Sequence, residues 1–306
     1  MSRAHQEGST VDGSPVKDRT VVVTGAARGV GAALADALAR KGARLALLDH
    51  DEAALEATAA ALPDAPLALC VDVTDGTALA EAAEVVRGRL GPVSVVVANA
   101  GIAEGGPFTQ GDPATWQRVI DVNLTGSAKT AAAFLPDLLQ TAGYHLQIAS
   151  LASIGAAPMM SAYCASKAGV EAFTHTLRAE VAHHGVAVGI AYLSWTDTDM
   201  IHDADRYPAL RELRTHMPPP LGRVHPTEDV AARLARAVEQ RRTAVYIPAW
   251  LRVLQLGRAA IPPLVLRRTR HVLPRLEAED TLHATGLLGA GGRADSTTAT
   301  GRHQLP

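Results

Sequence analysis

The alternation of apolar and polar positions along the chain changes abruptly at Thr20. Residues 1–17 are polar, rich in Gly and Ser and without apolar periodicity, which predicts a mobile tail. TVVV then reads as a short β-branched strand. The turn TGAARGVG follows, and after it an Ala/Leu-rich helix from Ala32 to Lys41 that stops at Gly42. Arg44 to Leu48 predicts a second strand, ending in Asp49. The pattern repeats as helix 52–62, strand 67–71 capped by Asp72, helix 77–90 stopped by Gly91-Pro92, and strand 93–98. The strands are near-continuous apolar runs, as in strands buried on both faces. The fold expected is therefore α/β, a doubly wound parallel sheet covered by helices on both sides. Ligands of such sheets bind at the carboxyl ends of the strands.

In the second half, Asp112-Pro113 opens a long helix by the rule of N-cap followed by Pro at the first helical position. Its apolar stripe runs through Trp116, Val119 and Ile120, then Asn123, then Ser127 and Ala131. Asn123 places an amide on the buried side. Such an amide must find partners, for example by holding a water and perturbing the local helix hydrogen bonding. Strand 146–149 delivers Ser150 to the same sheet edge. A helix carrying Tyr163 and Lys167 continues through Val170, Phe173, Leu177 and Val181 to His183 and His184, which read as solvated side chains at a helix C-terminus rather than a metal site. Strand 186–192, helix 228–240 and strand 244–247 complete the sheet.

Composition narrows the function classes. A formal net charge of −2 over 306 residues gives no global pull toward nucleic acid or anionic lipid. Cys70 and Cys164 stand in hydrophobic company without metal-ligand spacing, so they read as buried free thiols in a reducing compartment. The first residues lack the apolar core of a secretory signal, and no apolar run is long enough to span a bilayer. A cytoplasmic protein without a metal site is expected.

The chemistry concentrates at three places. Gly25, Gly29 and Gly31 lie between the first strand and helix, where backbone can approach a pyrophosphate and the helix N-terminus supplies N–H donors. Asp49, at the end of the second strand, can accept adenosine ribose hydroxyls and would repel a 2′-phosphate. That argues for NAD, while Arg28 in the glycine turn could contact such a phosphate and keeps NADP open. Gly101 lets backbone pass close to a ribose, and Asn99 can tie neighbouring strand ends together. Finally, Tyr163 and Lys167 are four apart, on one helix face. A phenol with an ammonium beside it can exchange a proton near neutral pH, as carbonyl reduction or alcohol oxidation requires. Lys occurs at only four positions, so a compact point charge at Lys167 is notable.

From about Thr20 to Pro248 the chain resembles the short-chain dehydrogenase/reductase family. The motifs are TGAARGVG, Asp49, Asp72-Val73, ANAG, Asn123 in VNLTG, Ser150 and YCASK. The resemblance implies a Rossmann-like seven-stranded sheet, and reversible hydride transfer between a nicotinamide and a secondary alcohol or ketone. It implies Tyr163 as acid/base, Lys167 as the residue that lowers its pKa and binds the nicotinamide ribose, Ser150 as the hydroxyl orienting the substrate oxygen, and Asn123 as the anchor of a relay water. It also implies a cofactor held by Thr24, Gly25, Arg28, Gly29, Val30, Gly31, Asp49, Asp72, Val73, Asn99, Ala100, Gly101, Tyr163, Lys167, Thr196 and Thr198, and a homodimer or homotetramer. Two departures stand out: Ala98 where the family has a first Asn, and Leu193-Ser194 where it has Pro-Gly beside the nicotinamide. A non-catalytic cofactor-binding regulator or scaffold is the competing reading, against which the intact Asn123, Ser150, Tyr163 and Lys167 count.

The segment between Thr198 and Pro226 serves the family as a lid, and its Met, Leu, Tyr and Pro content suggests a lipophilic ligand. Beyond Pro248 the resemblance ends. Arg241 to Arg275 holds eight arginines and no acid, interleaved with Trp250 and several Leu and Val. Residues 249–283 thus read as a basic, apolar extension. Its 249–275 part suits peripheral contact with anionic headgroups, the other reading being packing on the enzyme or on a second subunit. The Gly-, Thr- and Ser-rich residues 284–306 are expected to be disordered.

Overall fold

A computed structural model describes residues 14–302, with side chains to residue 296. Seven parallel strands form one sheet: β1 (Thr20–Thr24), β2 (Arg44–Asp49), β3 (Leu67–Cys70), β4 (Val93–Ala98), then, past a two-residue β5 (Glu104–Gly105), β6 (Tyr144–Ser150), β7 (Ala187–Leu193) and β8 (Ala244–Ile247). Their spatial order is β3-β2-β1-β4-β6-β7-β8. The chain runs outward from β1 to β3 and returns to pair β4 with β1, so the strand order reverses between β1 and β4. The carboxyl ends of those two strands part into a crevice.

The continuous apolar runs have a direct cause. Val21 and Val23 of β1, Leu45 and Leu47 of β2, and Val95 and Val97 of β4 point to one face, while Val22, Ala46, Leu48 and Val96 point to the other. Helices α1 (Gly29–Ala39) and α9 (Thr227–Glu239) cover the first face with Leu34, Leu38, Val230 and Leu234. The opposite face is covered by α3 (Gly76–Leu90), α5 (Gly126–Thr141) and α6 (Ser161–Val181) through Leu79, Val86, Phe134, Leu138 and Leu177. Each fully buried Leu or Val contributes roughly 1.5–3 kcal/mol, so both faces must be covered for the sheet to stand. The remaining helices are α2 (Glu52–Ala61), α4 (Pro113–Ile120), α7 (Asp199–Ala204), α8 (Pro208–Thr215), α10 (Leu251–Leu256), α11 (Ile261–Ala278) and α12 (Gly289–Arg302).

Several expectations are corrected. The helix opened at Pro113 is broken by a π-helical turn, Asp121–Thr125, centred on Asn123, in which the Gly126 N–H donates to Asp121 O. Of the expected tail, 1–13 lies outside the described residues, but 14–17 form a turn with Val16 2% exposed in the core and the Ser14 hydroxyl bonded to Glu239. Cys70 is exposed at the sheet edge and Cys164 half-buried, both free. Residues 284–302 are ordered as a two-residue strand, β9 (Gly286–Leu287), paired antiparallel with β5, and then α12. Gly, Thr and Ser content mimics disorder, but Leu288 is 1% and Asp295 2% exposed, and tertiary partners supply what local propensity lacks. The extension packs on the same body, with Leu251 beside Ala149 and Val170 in one core cluster. Among the described residues no helix is long and apolar enough to cross a membrane.

Candidate active site

The glycine turn after β1 is built for close approach. Gly25 has φ +64° and a Cβ there would lie 2.7 Å from Ala100 Cα; at Gly31 it would lie 2.0 Å from Gly25 O. Asn99 does what its position suggested, donating from Nδ2 to Thr24 O and Gly25 O, each at 3.0 Å. The Thr24 hydroxyl accepts from the N–H groups of Asn99 (3.1 Å) and Ala100 (3.2 Å), locking the ends of β1 and β4 together.

At the end of β2, Asp49 is 7% exposed. Burial pushes its carboxyl up, but hydrogen bonds from His50 and from the N–H groups of Ala27 (3.0 Å) and Asp51 (3.1 Å) outweigh that and hold it below the usual carboxylate range. Arg28 pairs with Asp51, so its charge is already engaged. Asp72, expected among the residues that hold the cofactor, accepts from the Thr74 N–H and hydroxyl and pairs with Arg118 at 3.0 Å.

β6 and α6 bring the chemical groups together. Ser150 ends β6, its hydroxyl accepting from the Ala152 N–H at 3.1 Å and lying near enough to the Tyr163 phenol to act on its titration. Lys167, 4% exposed, donates to Ile148 O at 3.3 Å and holds its Nζ 5.7 Å from the centre of the Tyr163 ring. Burial lowers Lys167 to about 8. Burial also raises the phenol, opposed by the neighbouring Ser150 hydroxyl. The lowering expected from the Lys167 ammonium is not found, and burial governs the phenol. Asn123 is fully buried: Nδ2 donates to Ile102 O (2.9 Å) and Ser166 Oγ (2.9 Å), and Oδ1 accepts from the Ile102 N–H (2.8 Å). The amide thus clamps the loop after β4 to α6. Gly101 fits between this amide and Lys167, since a Cβ there would sit 3.2 Å from Asn123 Oδ1 and 3.4 Å from Lys167 Nζ.

The Leu193-Ser194 departure is accommodated. Ser194 N–H donates to Ile247 O at 2.9 Å, and Thr196 and Thr198 chain their hydroxyls to Ser194 O and Thr196 O at 3.1 and 3.2 Å. The Ser194 Oγ is buried with no partner among the described residues. One crevice is lined by Gly25, Arg28, Gly29, Val30, Asp49, Asp72, Val73, Asn99, Ala100, Gly101, Ser150, Tyr163, Lys167, Thr196 and Thr198. Of the expected site residues, Thr24, Gly31 and Asn123 stand behind that lining as its supports. His50, Arg118, Leu288 and Asp295 also line it and were not foreseen. Neither helix periodicity at Arg118 nor the glycine-rich text around Asp295 signals a crevice. His50 alone had a cue, its place beside Asp49. Among the described residues no cluster could hold a metal ion.

Next to Tyr163, Ala103, Met159, Met160, Met200, Tyr207, Leu210 and Leu288 form an apolar cluster, of which Met200 and Leu288 line the crevice. Glu104 accepts from the Ala162 N–H at 2.9 Å, capping α6; burial raises its carboxyl, and its Oε2 has no partner among the described residues.

Sheet order, glycine cradle and Ser/Tyr/Lys cluster define a nicotinamide-dependent oxidoreductase. A sequence profile described as short chain dehydrogenase matches residues 19–208, and the chain belongs to the short-chain dehydrogenase/reductase family. It is 31% identical over 224 residues to 2-(S)-hydroxypropyl-CoM dehydrogenase 3 of Xanthobacter autotrophicus, covering 71% of this chain and 88% of that one. It is 35% identical over 205 residues to the inactive 2-(S)-hydroxypropyl-CoM dehydrogenase 2 of the same organism, covering 65% and 88%. A Burkholderia phymatum short chain dehydrogenase/reductase crystallised with NAD superposes with a TM-score of 0.69 at 26% identity, covering 79% of this chain and 93% of that one. A Mycobacterium avium carveol dehydrogenase, also with NAD, shares the fold with a TM-score of 0.69 at 24% identity, covering 76% and 97%.

Proposed function

We propose that the protein interconverts a lipophilic secondary alcohol and its ketone, with Tyr163 as the acid/base. The observation that carries this is the juxtaposition of the Ser150 hydroxyl and Tyr163 phenol with an apolar cluster on one side and the glycine-lined trough on the other. A nicotinamide bound in that trough would supply or accept the hydride at the substrate carbon. Gly25, Gly29 and Gly31 would admit its pyrophosphate, Asp49 would accept its ribose hydroxyls, and Lys167 would face the nicotinamide ribose. The unpartnered Ser194 hydroxyl offers a contact for the carboxamide. Ser150 would hold the substrate oxygen against the phenol, and Tyr163 would deliver or take its proton. Asn123, saturated by Ile102 and Ser166, keeps the crevice floor in place and can anchor a relay water only through its remaining lone pair.

NAD is the preferred cofactor in this reading, because Asp49 stays ionised at the ribose end and Arg28 is engaged by Asp51. A panel of apolar ketones and alcohols with NADH/NAD and NADPH/NADP tests both points. Turnover confined to one apolar class with NADH is expected. Tyr163→Phe should lower kcat by about 10²- to 10⁴-fold with NADH binding intact, and undiminished turnover would remove the proton donor.

The extension supports a second placement, at an anionic bilayer surface. Val253, Leu256, Leu264 and Leu266 are 71%, 85%, 64% and 52% exposed, amid exposed Arg252, Arg267, Arg268 and Arg270. A two-fold self-contact would set arginine against arginine, whereas anionic headgroups complement this face. Flotation with phosphatidylserine vesicles should carry the full chain at low salt and lose Leu256→Asp/Leu264→Asp. Protein that stays with the unbound fraction refutes this placement. The family also suggests a homodimer or homotetramer, which light scattering measures directly.

A further inference from the structure

The crevice has a roof that the proposed chemistry leaves unused. It is made by residues 288–292 and Asp295, and it is tethered at both rims. On one side Thr285 and Leu288 donate their N–H groups to Gly105 O and Ala103 O, each at 2.8 Å. On the other, Asp203 of the lid helix α7 accepts from the Gly289 N–H (2.9 Å) and Arg293 Nη1 (2.7 Å). At the far end the buried Asp295 carboxylate accepts from Arg118, through Nε at 2.8 Å and through Nη2, and the same Nη2 also holds Asp72 at 3.0 Å.

We infer that residues 286–295 are a strap that competes with the dinucleotide for the adenosine end of the crevice, with the Arg118–Asp295 pair as its latch; this rests on the cofactor reading above. The strap follows the trough along its length. A Cβ at Gly289 would lie 2.9 Å from Met200 Cα, one at Gly291 would lie 3.6 Å from Arg28 Nη1, and Asp295 ends beside Arg118. About 220 Å³ of clear space remains beneath it. Sites for drug-sized ligands run to roughly 300–1,000 Å³, and a dinucleotide is larger than such ligands. The strap therefore has to lift for the dinucleotide to seat fully. Its composition suits that movement. Gly289, Gly291 and Gly292 fall in the first turn of α12, and each Gly costs about 1 kcal/mol relative to Ala in a helix, so tethers rather than intrinsic propensity hold the element down. The latch also engages Arg118 and, through it, Asp72, at the end where the adenine would enter. Releasing Asp295 takes a carboxylate away from the side of the crevice that must admit a polyanion.

Two measurements on the full-length chain decide this. NADH titrated by fluorescence should bind Asp295→Ala about tenfold more tightly than wild type, and Asp295→Asn several-fold more tightly. Hydrogen exchange across residues 286–296 should speed up at saturating NADH. Equal or weaker binding by both variants, or exchange that slows with NADH as for a cover closing on its ligand, overturns the strap while leaving the cofactor reading intact. If wild type and variants alike bind neither NADH nor NADPH, the cofactor reading itself falls and the latch with it.

Discussion

Lys167 shows how a single residue can be chosen against stability. Its ammonium is buried with Ile148 O as its only hydrogen-bond partner among the described residues, and burial lowers it to about 8 from an ordinary 10.5. Below pH 8 both folded and unfolded chains carry the proton, so the full penalty is present. Between 8 and 10.5 the folded chain releases it first, and stability rises with pH. Lys167→Met should therefore raise stability at pH 7 by on the order of 3 kcal/mol while abolishing turnover, and its advantage should shrink above pH 8; denaturant melts at pH 7 and 9.5 measure both. His145 follows the same rule in a lower pH window. Burial lowers it to about 4, with Gln147 opposing, so its neutral form is favoured in the fold and its contribution is lost as pH falls from 6.5 toward 4. His145→Gln should flatten part of the acid-side decline in denaturation midpoint over that range. The pair Tyr163/Lys167 was legible from spacing alone, because a helix fixes which residues share a face. The raised phenol was not, because burial depends on what other segments place over it.

At the scale of elements, the π-turn at Asp121–Thr125 is the clearest case of a signal read correctly in kind but not in form. An amide in an apolar stripe announces a local disturbance of the helix. The Ile102 and Ser166 partners that complete it come from elements far along the chain. Asn123→Ala leaves the Ile102 N–H and C=O buried without partners and should cost roughly 2–5 kcal/mol, read as a fall in denaturation midpoint together with weakened NADH binding. The glycine turn belongs to this scale too. Gly31→Ala drives a methyl to 2.0 Å from Gly25 O and has to reshape the turn. Dinucleotide binding should be lost with the fold retained, which fluorescence titration and circular dichroism separate.

Across the whole molecule, the extension beyond Pro248 is a brace on the catalytic body. Arg258 donates to both Glu171 oxygens at 3.1 Å and to Ser153 O at 2.8 Å, and Gln255 and Tyr192 share the same carboxylate, itself 4% exposed. Arg258→Ala weakens a nearly buried carboxylate's pairing and should cost about 1–3 kcal/mol, with limited proteolysis first cutting within 249–283. The strands, helices, glycine turn and the shared helix face of Tyr163 and Lys167 within residues 20–248 are written locally. Periodicity, turn chemistry and spacing act over a few residues, so the sequence alone determines them. The roof over the crevice, the Arg118–Asp295 latch and the buried partners of Glu171 join distant positions, 177 apart for Arg118 and Asp295 and farther still for Leu288 and Ala103. No local pattern encodes such contacts, because their free energy appears only when the sheet has already brought distant surfaces together, and that is what the tertiary structure alone decided.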